Sequence, residues 1–216
     1  MQEGVSLMAS AEELAKFIGE NKGQRKFKQS VELAINFKGM DFTKQDNRLN
    51  LEVLLPNGKG KTRKIGLFAS DKNLIAEAEK NGIEIIRDTE IPSTAADGAR
   101  MTLLLQYELV AQPNLMPMIA KSMGQFLGPR NKMPKPLLGN INVANIVGEL
   151  NRRIVIRSKG KNLPTVHCIV GNEDMDAEKI NTNIKEVLDT VNRKVGPNHI
   201  KSVYVKLTMS KPFRYI

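Results

Sequence analysis

A thiol and an imidazole lie side by side at His167 and Cys168, the residue types that a cysteine nucleophile and its base would need. The surrounding residues alternate between apolar and polar, which predicts a strand, and strand neighbours point to opposite faces. We therefore expect Cys168 in the core and His167 facing outward, where it could hydrogen-bond RNA or be solvated. One cysteine and two histidines are too few for a thiolate or His-rich metal site.

The segment Gly58-Lys-Gly-Lys-Thr-Arg63 ends like a phosphate-binding loop. The first glycine of that motif would fall at position 55, which is Leu55, and the segment leads toward a strand where the motif requires a helix N-terminus. We expect a basic turn. A nucleotide-dependent enzyme is the alternative function that this segment leaves open. The carboxylates form no acid–base or metal cluster, so we expect no enzyme and no cofactor.

Two other basic segments combine cations with groups that suit RNA. Arg25-Lys-Phe-Lys28 sets the ring of Phe27 among three cations, an arrangement for phosphate contacts and for packing on a ribose or base. The alternative is a solvated turn whose ring covers the edge of the core. Lys206-Leu-Thr-Met-Ser-Lys211 places the hydroxyls of Thr208 and Ser210 between two lysines, where they could donate to phosphate or 2′-hydroxyl oxygens.

A third basic segment, Leu127–Pro136, carries Arg130, Lys132 and Lys135 on a chain that contains three prolines. Proline restricts the backbone and so lowers the cost of ordering an exposed loop on binding. We expect an exposed binding loop here, and its charge and stiffness do not identify the partner.

The strands predicted in the two terminal parts of the chain alternate between apolar and polar residues, which is typical of strands with one buried face. Ser10 and Glu13 form a capping box that starts a helix ending near Gly23, and residues 1–7 are expected to form a loose terminus. Alternating strands then indicate an antiparallel sheet with one wet side. After Ile156 the pattern returns, with a helix, a final strand and a hairpin predicted from Arg153–Arg157 and Thr165–Val170 around the turn at 158–162. The strand positions expected in the core are Val31, Leu33, Ile35, Phe37, Leu49, Leu51, Val53, Leu55, Val203, Val205 and Leu207.

The middle of the chain has a different pattern. Short, mostly apolar runs at Ile65–Ala69, Ile83–Ile86 and Met101–Leu105 predict strands buried on both faces. Helices are expected at Asp71–Asn81 and near Val143–Leu150. The sequence thus predicts a discontinuous two-domain protein of α/β and α+β class. Residues 1–64 and 156–216 form an antiparallel, half-exposed sheet with helices, and residues 65–155 form an inserted Rossmann-like parallel α/β domain.

The charge is concentrated in the terminal segments. The chain has 216 residues and a net charge of +10, which favours a polyanionic partner. Residues 1–64 hold 12 basic and 8 acidic side chains, residues 65–155 hold 10 and 9, and residues 156–216 hold 11 and 6. Nine of the ten net positive charges therefore lie in the terminal segments, which we expect to form the main nucleic-acid surface.

An anionic membrane is the rival polyanion. The sequence has no apolar run of ~18 residues, no signal peptide and no basic amphipathic helix with bulky apolar anchors. We therefore expect a soluble, cytoplasmic protein without a membrane partner.

Four segments, in this order along the chain, resemble the ribosomal protein L-one family, and the amino-acid sequence of the first resembles archaeal members. They are Arg25-Lys-Phe-Lys-Gln-Ser-Val-Glu-Leu-Ala34, the Leu127–Pro136 loop, Thr165-Val-His-Cys-Ile-Val-Gly171 and Ser202-Val-Tyr-Val-Lys-Leu-Thr-Met-Ser210. The resemblance covers nearly the whole chain after residue 10.

This resemblance implies a protein of the mobile stalk of the large ribosomal subunit, beside the tRNA exit site. The terminal domain would bind folded rRNA and, in many prokaryotes, a mimic of it in the protein's own mRNA, thereby repressing translation; the stalk would assist release of deacylated tRNA. The family usually has glycine where Ser210 stands, which would matter if positive φ or close approach to RNA were needed there. The implied RNA contacts are Lys26, Phe27, Ser30, Glu32, His167, Thr208, Met209 and Ser210, and the neighbouring Lys28, Lys206 and Lys211 complete the expected surface.

Overall fold

The computed structural model describes residues 9–62, 64–137, 143–158 and 163–216. The expected loose terminus at 1–7 and residues 159–162 of the expected hairpin turn lie outside them. The chain divides into two compact units. The outer unit contains the chain up to Lys61 together with Arg152–Ile216, and the inserted unit is Thr62–Asn151.

Helices and strands are numbered here in chain order. The helices are α1 (Ala11–Asn21), α2 (Lys72–Lys80), α3 (Ile91–Ala96), α4 (Gly98–Leu104), α5 (Met116–Leu127), α6 (Val143–Arg152) and α7 (Ala177–Val195). The strands are β1 (Ser30–Phe37), β2 (Asn50–Leu54), β3 (Ile65–Ala69), β4 (Glu84–Arg87), β5 (Glu108–Ala111), β6 (Lys135–Pro136), β7 (Arg153–Arg157), β8 (Thr165–Asn172), β9 (Ile200–Leu207) and β10 (Phe213–Arg214).

The main sheet of the outer unit is antiparallel, with strand order β10-β9-β1-β8. Buried and part-exposed residues alternate along β1, as the sequence predicts. The helices α1 and α7 supply apolar side chains to the core on the buried face, and the predicted capping box of Ser10 and Glu13 at the start of α1 is confirmed. The other face of the sheet remains partly open to solvent. The buried hydrophobic residues of these strands are Val31, Leu33, Ile35, Phe37, Val166, Cys168, Val170, Val203, Val205 and Leu207.

The hairpin predicted between Arg153–Arg157 and Thr165–Val170 is wrong. Strand β7 pairs with β2 in a separate two-stranded antiparallel sheet, whereas β8 pairs with β1. The apolar residues of β7, Ile154 and Ile156, lie in the same core as those of β1. A polar, glycine-containing segment in a sequence favours a turn but does not determine whether the strands on either side join one sheet or two.

The whole of β7 belongs to the outer unit, although the sequence suggested that this unit resumes at Ile156. All five residues of β7 have partners on β2. Just before it, Arg152 Nε donates to Leu55 O at 3.0 Å, and Leu55 N donates to Arg152 O at 2.9 Å. These bonds explain why the unit resumes at Arg152.

The inserted unit contains a parallel sheet with strand order β4-β3-β5-β6, which confirms the predicted parallel α/β class. All five residues of β3 are buried, as expected for a strand covered on both faces. The strand predicted at Met101–Leu105 is wrong, because these residues lie in and just after α4. Asp97 caps this helix by accepting bonds from the backbone of Ala99 and Arg100, and a short apolar run cannot by itself distinguish helix from strand.

Candidate nucleic-acid interface

Polar side chains from three strands share the wet face of the main sheet. In the register of β1, Glu32 lies between Ile169 of β8 and Lys206 of β9, and Ala34 lies between His167 and Tyr204. His167 is exposed, as predicted. A carboxylate, an imidazole and an ammonium group are thus arranged over a short stretch of one surface.

Cys168 points to the opposite face and is buried in the core, as predicted. Burial raises the pKa of its thiol to about 12. The thiol is therefore protonated near neutral pH and is not an activated nucleophile.

The amino end of β1 is joined to the residues that follow β9. Ser30 N donates to Thr208 Oγ1 at 3.1 Å, and Thr208 N donates to Ser30 O at 3.1 Å. The hydroxyl of Thr208, predicted to contact RNA, therefore also holds the start of β1 in place. Because the loss of a partner for a part-buried group costs free energy, Thr208 has a structural role beside any role in binding.

Gln29, which the sequence interpretation did not select, links this region to two other segments. Its side chain is 2% exposed and donates to Asn21 O at 3.1 Å and to Glu173 Oε2 at 3.2 Å. Its Oε1 accepts a bond from Met209 N at 3.1 Å, and its backbone O accepts one from Glu173 N at 3.0 Å. We call Gln29, Ser30, Glu173, Thr208 and Met209 the Ser30 junction.

The segment before the Ser30 junction is exposed and basic. Lys26 lies at the surface, and the side chain of Phe27 is 50% exposed. Lys28 Nζ lies 2.6 Å from a carboxylate oxygen of Asp174, and Lys22 Nζ lies 3.5 Å from the other oxygen. The hydrogen bond and charge of Lys28 lower the pKa of Asp174, and the same contact raises the pKa of Lys28. Phe27 does not cover the core edge as a buried ring, which leaves it available for stacking.

The segment after the Ser30 junction forms a compact turn around Ser210. The side chain of Met209 is 56% exposed and Lys211 lies at the surface. Ser210 does not have positive φ, so the serine is not strained where the family usually has glycine. Its Oγ accepts a bond from Leu207 N at 2.8 Å and lies 2.9 Å from Lys211 O. The hydroxyl therefore stabilises the turn.

In the predicted loop of the inserted unit, Leu127–Pro136, basic side chains contact other residues of the same unit. The guanidinium of Arg130 lies 3.9 Å from the ring centre of Phe126 and donates to Phe126 O at 2.8 Å. Lys132 Nζ donates to Tyr107 O at 3.0 Å, and Lys135 belongs to β6. Arg130 is exposed, whereas Lys132 and Lys135 are only partly so. The structure thus brings the terminal-segment residues together and keeps this loop in the other unit.

The remaining chemistry gives no support to catalysis. Gly60-Lys61-Thr62 is followed by β3, so this segment does not open a helix as a phosphate-binding loop would. Across the described ranges, no group of three or more His, Cys, Asp or Glu side chains could hold a metal ion. In the same ranges, no helix is long and apolar enough to cross a membrane.

The known proteins to which this chain is similar belong to the class of ribosomal proteins and are not enzymes. Large ribosomal subunit protein uL1 of Methanothermobacter thermautotrophicus is 40% identical over 220 residues, covering 100% of this chain and 99% of the relative. Its counterpart in Methanothermococcus thermolithotrophicus is 40% identical over 193 residues, covering 87% of this chain and 89% of the relative. That of Thermoplasma acidophilum is 39% identical and covers 89% of each.

Residues 14–211 match the model of the Ribosomal protein L1p/L10e family. The chain therefore belongs to this family, which is the L-one family suggested by the four sequence segments, and its relatives named above are archaeal.

Proposed function

We propose that the protein binds rRNA of the large ribosomal subunit through the Ser30 junction and the wet face of the main sheet. The observation that carries the proposal is the buried bonding of Gln29, which joins the segment bearing Lys26 and Phe27 to the segment bearing Met209 and Lys211. Such bonding fixes the backbone before RNA arrives and so lowers the ordering cost of binding. The net charge of +10 and the names of the relatives support the same partner.

Recognition is expected to depend on RNA shape. Lys26 and Lys211 contact phosphates, and the exposed ring of Phe27 packs on a ribose or an unstacked base. Glu32, His167 and Lys206 offer an acceptor, an imidazole and a cation to the part of the RNA that lies over the sheet. Glu32 in particular accepts from a 2′-hydroxyl or a base amine, because a phosphate would be repelled by its charge.

We further propose the finer role that the family resemblance implies. The protein forms part of the mobile stalk near the tRNA exit site and assists release of deacylated tRNA. Arg130 is the cation most available for contact with tRNA, because it is exposed and its guanidinium is already held in place by Phe126. The same outer-unit surface binds a mimic of the rRNA element in the protein's own mRNA and represses its translation.

The test is a salt series for binding to a stalk fragment of large-subunit rRNA, with a shuffled RNA of equal length as the comparison. The double variant Lys26→Ala, Lys211→Ala should lower the slope of log affinity against log salt by roughly 1.5 to 2. The matched control, Lys16→Ala with Lys185→Ala, removes equal charge from exposed helix positions in α1 and α7 and should leave the slope nearly unchanged. Equal losses for both pairs would reject the assigned surface, and equal affinity for the shuffled RNA would reject shape recognition.

Competition between two RNAs tests the repressor role separately. If the rRNA fragment and the mRNA leader use the same surface, a saturating amount of one displaces the other. Formation of a complex that contains both RNAs at once would contradict a shared site while leaving rRNA binding intact.

A further inference from the structure

The basic turn Asn57–Lys61 is held in one conformation by two asparagines of the outer unit. Asn183 is fully buried, and its Nδ2 donates to Gly58 O at 2.9 Å and to Val170 O at 2.8 Å. Its Oδ1 accepts from Asn57 N at 3.0 Å, and Asn57 Nδ2 donates to Lys179 O at 3.1 Å. The turn is therefore attached to both α7 and β8.

Gly60 brings this turn into close contact with the end of β8. Asn172 Nδ2 donates to Gly60 O at 2.7 Å. Gly60 has φ of +68°, and a Cβ atom there would lie 2.5 Å from Met175 Sδ and 2.8 Å from Asn172 Oδ1. A larger residue would be strained and would push the turn away from β8. The glycine thus serves close packing of the turn, a role that the phosphate-loop interpretation did not consider.

The contact with Asn172 aligns the turn with the Ser30 junction. Asn172 is the partner of Ser30 across β1 and β8, and Thr208 is bonded to Ser30 on the other side. Thr208, Ser30, Asn172 and Gly60 therefore form a row across one end of the sheet. With adjacent strands about 4.8 Å apart, the row is roughly 15 Å long, which is enough to follow more than one phosphate of a folded RNA.

The turn adds positive charge at the end of this row. Residues 56–62 contain two lysines and no acidic residue. Lys59 is buried, whereas Lys61 is exposed. Asp174, two residues after Asn172 of the row, is already paired with Lys28 and Lys22. A turn that is fixed by these hydrogen bonds and presents an exposed ammonium group suits a polyanion.

We propose that the Asn57–Lys61 turn is an additional phosphate-contact site, at which Lys61 binds the backbone of the structured RNA beyond the edge strand β8. This proposal rests on the RNA-binding function proposed above. It extends the interface to a part of the chain that none of the expected RNA contacts includes.

Binding of the stalk rRNA fragment to the full-length Lys61→Ala variant tests this site. We expect about fivefold weaker binding at moderate salt and a loss of roughly 0.9 in the salt slope, as for removal of one phosphate contact. Lys61→Glu should weaken binding further. Lys185→Ala and Lys185→Glu, at an exposed position on α7, are the matched controls. If Lys61 and Lys185 variants behave alike, Lys61 contributes only general charge and the proposal is wrong.

Crosslinking provides a second measurement that does not depend on affinity. Cys168 is the single cysteine and is buried, so a thiol introduced by Lys61→Cys can be labelled selectively with a photoactivatable azide. We expect crosslinks to the bound RNA from position 61, as from a Lys211→Cys variant, and none from Lys185→Cys. Crosslinks from 211 but not from 61 would overturn the additional site alone. Failure of the wild-type protein to bind the fragment would instead overturn the proposed function.

Discussion

Ser30, Thr208 and Met209 of the Ser30 junction were expected to contact RNA, and the loop Leu127–Pro136 was expected to contact tRNA or another partner. The two regions are built in different ways. At the Ser30 junction, an uncharged side chain, Gln29, holds the backbone in place, and the cations around it remain largely at the surface. In the loop, the cations themselves hold the structure, because Lys132 donates to Tyr107 O and Arg130 stacks on Phe126.

This difference shows that a basic segment in a sequence need not present its charge to a ligand. An ammonium group that satisfies a backbone carbonyl contributes to folding, and its release to bind RNA would leave that carbonyl without a partner. A segment stabilised by a buried amide keeps its cations available. The comparison therefore predicts that changes at the Ser30 junction alter binding of rRNA. Changes in the loop should leave rRNA binding unchanged, and loss of Lys132 should mainly lower stability.

The largest effect is expected from Gln29→Ala. This change removes the bonds that join Asn21, Glu173 and Met209, and we expect RNA affinity to fall by about 3 kcal/mol through loss of preorganisation. The salt slope should stay constant because no phosphate contact is removed. Gln24→Ala, at an exposed glutamine of the same segment, is the control. A large decrease in the slope for Gln29→Ala would show that Gln29 does more than position its neighbours.

A comparable or smaller loss is expected from Thr208→Ala. Removal of the hydroxyl leaves Ser30 N without its partner and should cost about 1–3 kcal/mol in RNA affinity. Thr208→Ser keeps the oxygen and should retain most of the binding. Calorimetric titration of both variants with the rRNA fragment gives the difference directly. Unchanged binding by the alanine variant would remove Thr208 from the site.

The smallest effect on RNA binding is expected in the loop. Lys132→Ala should destabilise the inserted unit by about 1 kcal/mol, because the bond to Tyr107 O is lost, and should leave affinity for the rRNA fragment unchanged. Lys121→Ala, at an exposed position on α5, should affect neither property. Chemical denaturation measures the free energy of unfolding, and the binding assay measures affinity for the rRNA fragment. A marked loss of RNA affinity for Lys132→Ala would show that the contrast between the two regions is false.

The parts of the fold that repeat a regular pattern were predictable. Alternation along Val31–Phe37 depends on a strand having one buried and one wet face, and this property is local. The partner of β7 was not predictable, because pairing with β2 depends on a core assembled from distant segments. The run at Met101–Leu105 was misassigned because a short segment with four apolar residues fits a helix face as well as a buried strand.

The candidate site was likewise predictable only where the signal is local in the sequence. Phe27 could be selected as a candidate RNA contact because it is an aromatic residue among cations. His167 could be selected because side chains alternate between the two faces of a strand. Gln29 could not, because one glutamine beside several lysines has no distinguishing spacing, and its partners Glu173 and Met209 lie more than 140 residues away. The one available signal was its position immediately before a predicted strand. Likewise, the acceptor of Lys132, Tyr107 O, lies in the turn between α4 and β5, 25 residues away along the chain.

Strand β6 has a consequence for how the inserted unit behaves in solution. It forms one edge of the parallel sheet and consists of Lys135 and Pro136. Proline has no N–H group to donate, and a charged lysine opposes close approach of another strand. This edge is therefore a poor template for strand addition, which limits aggregation of the free protein through it.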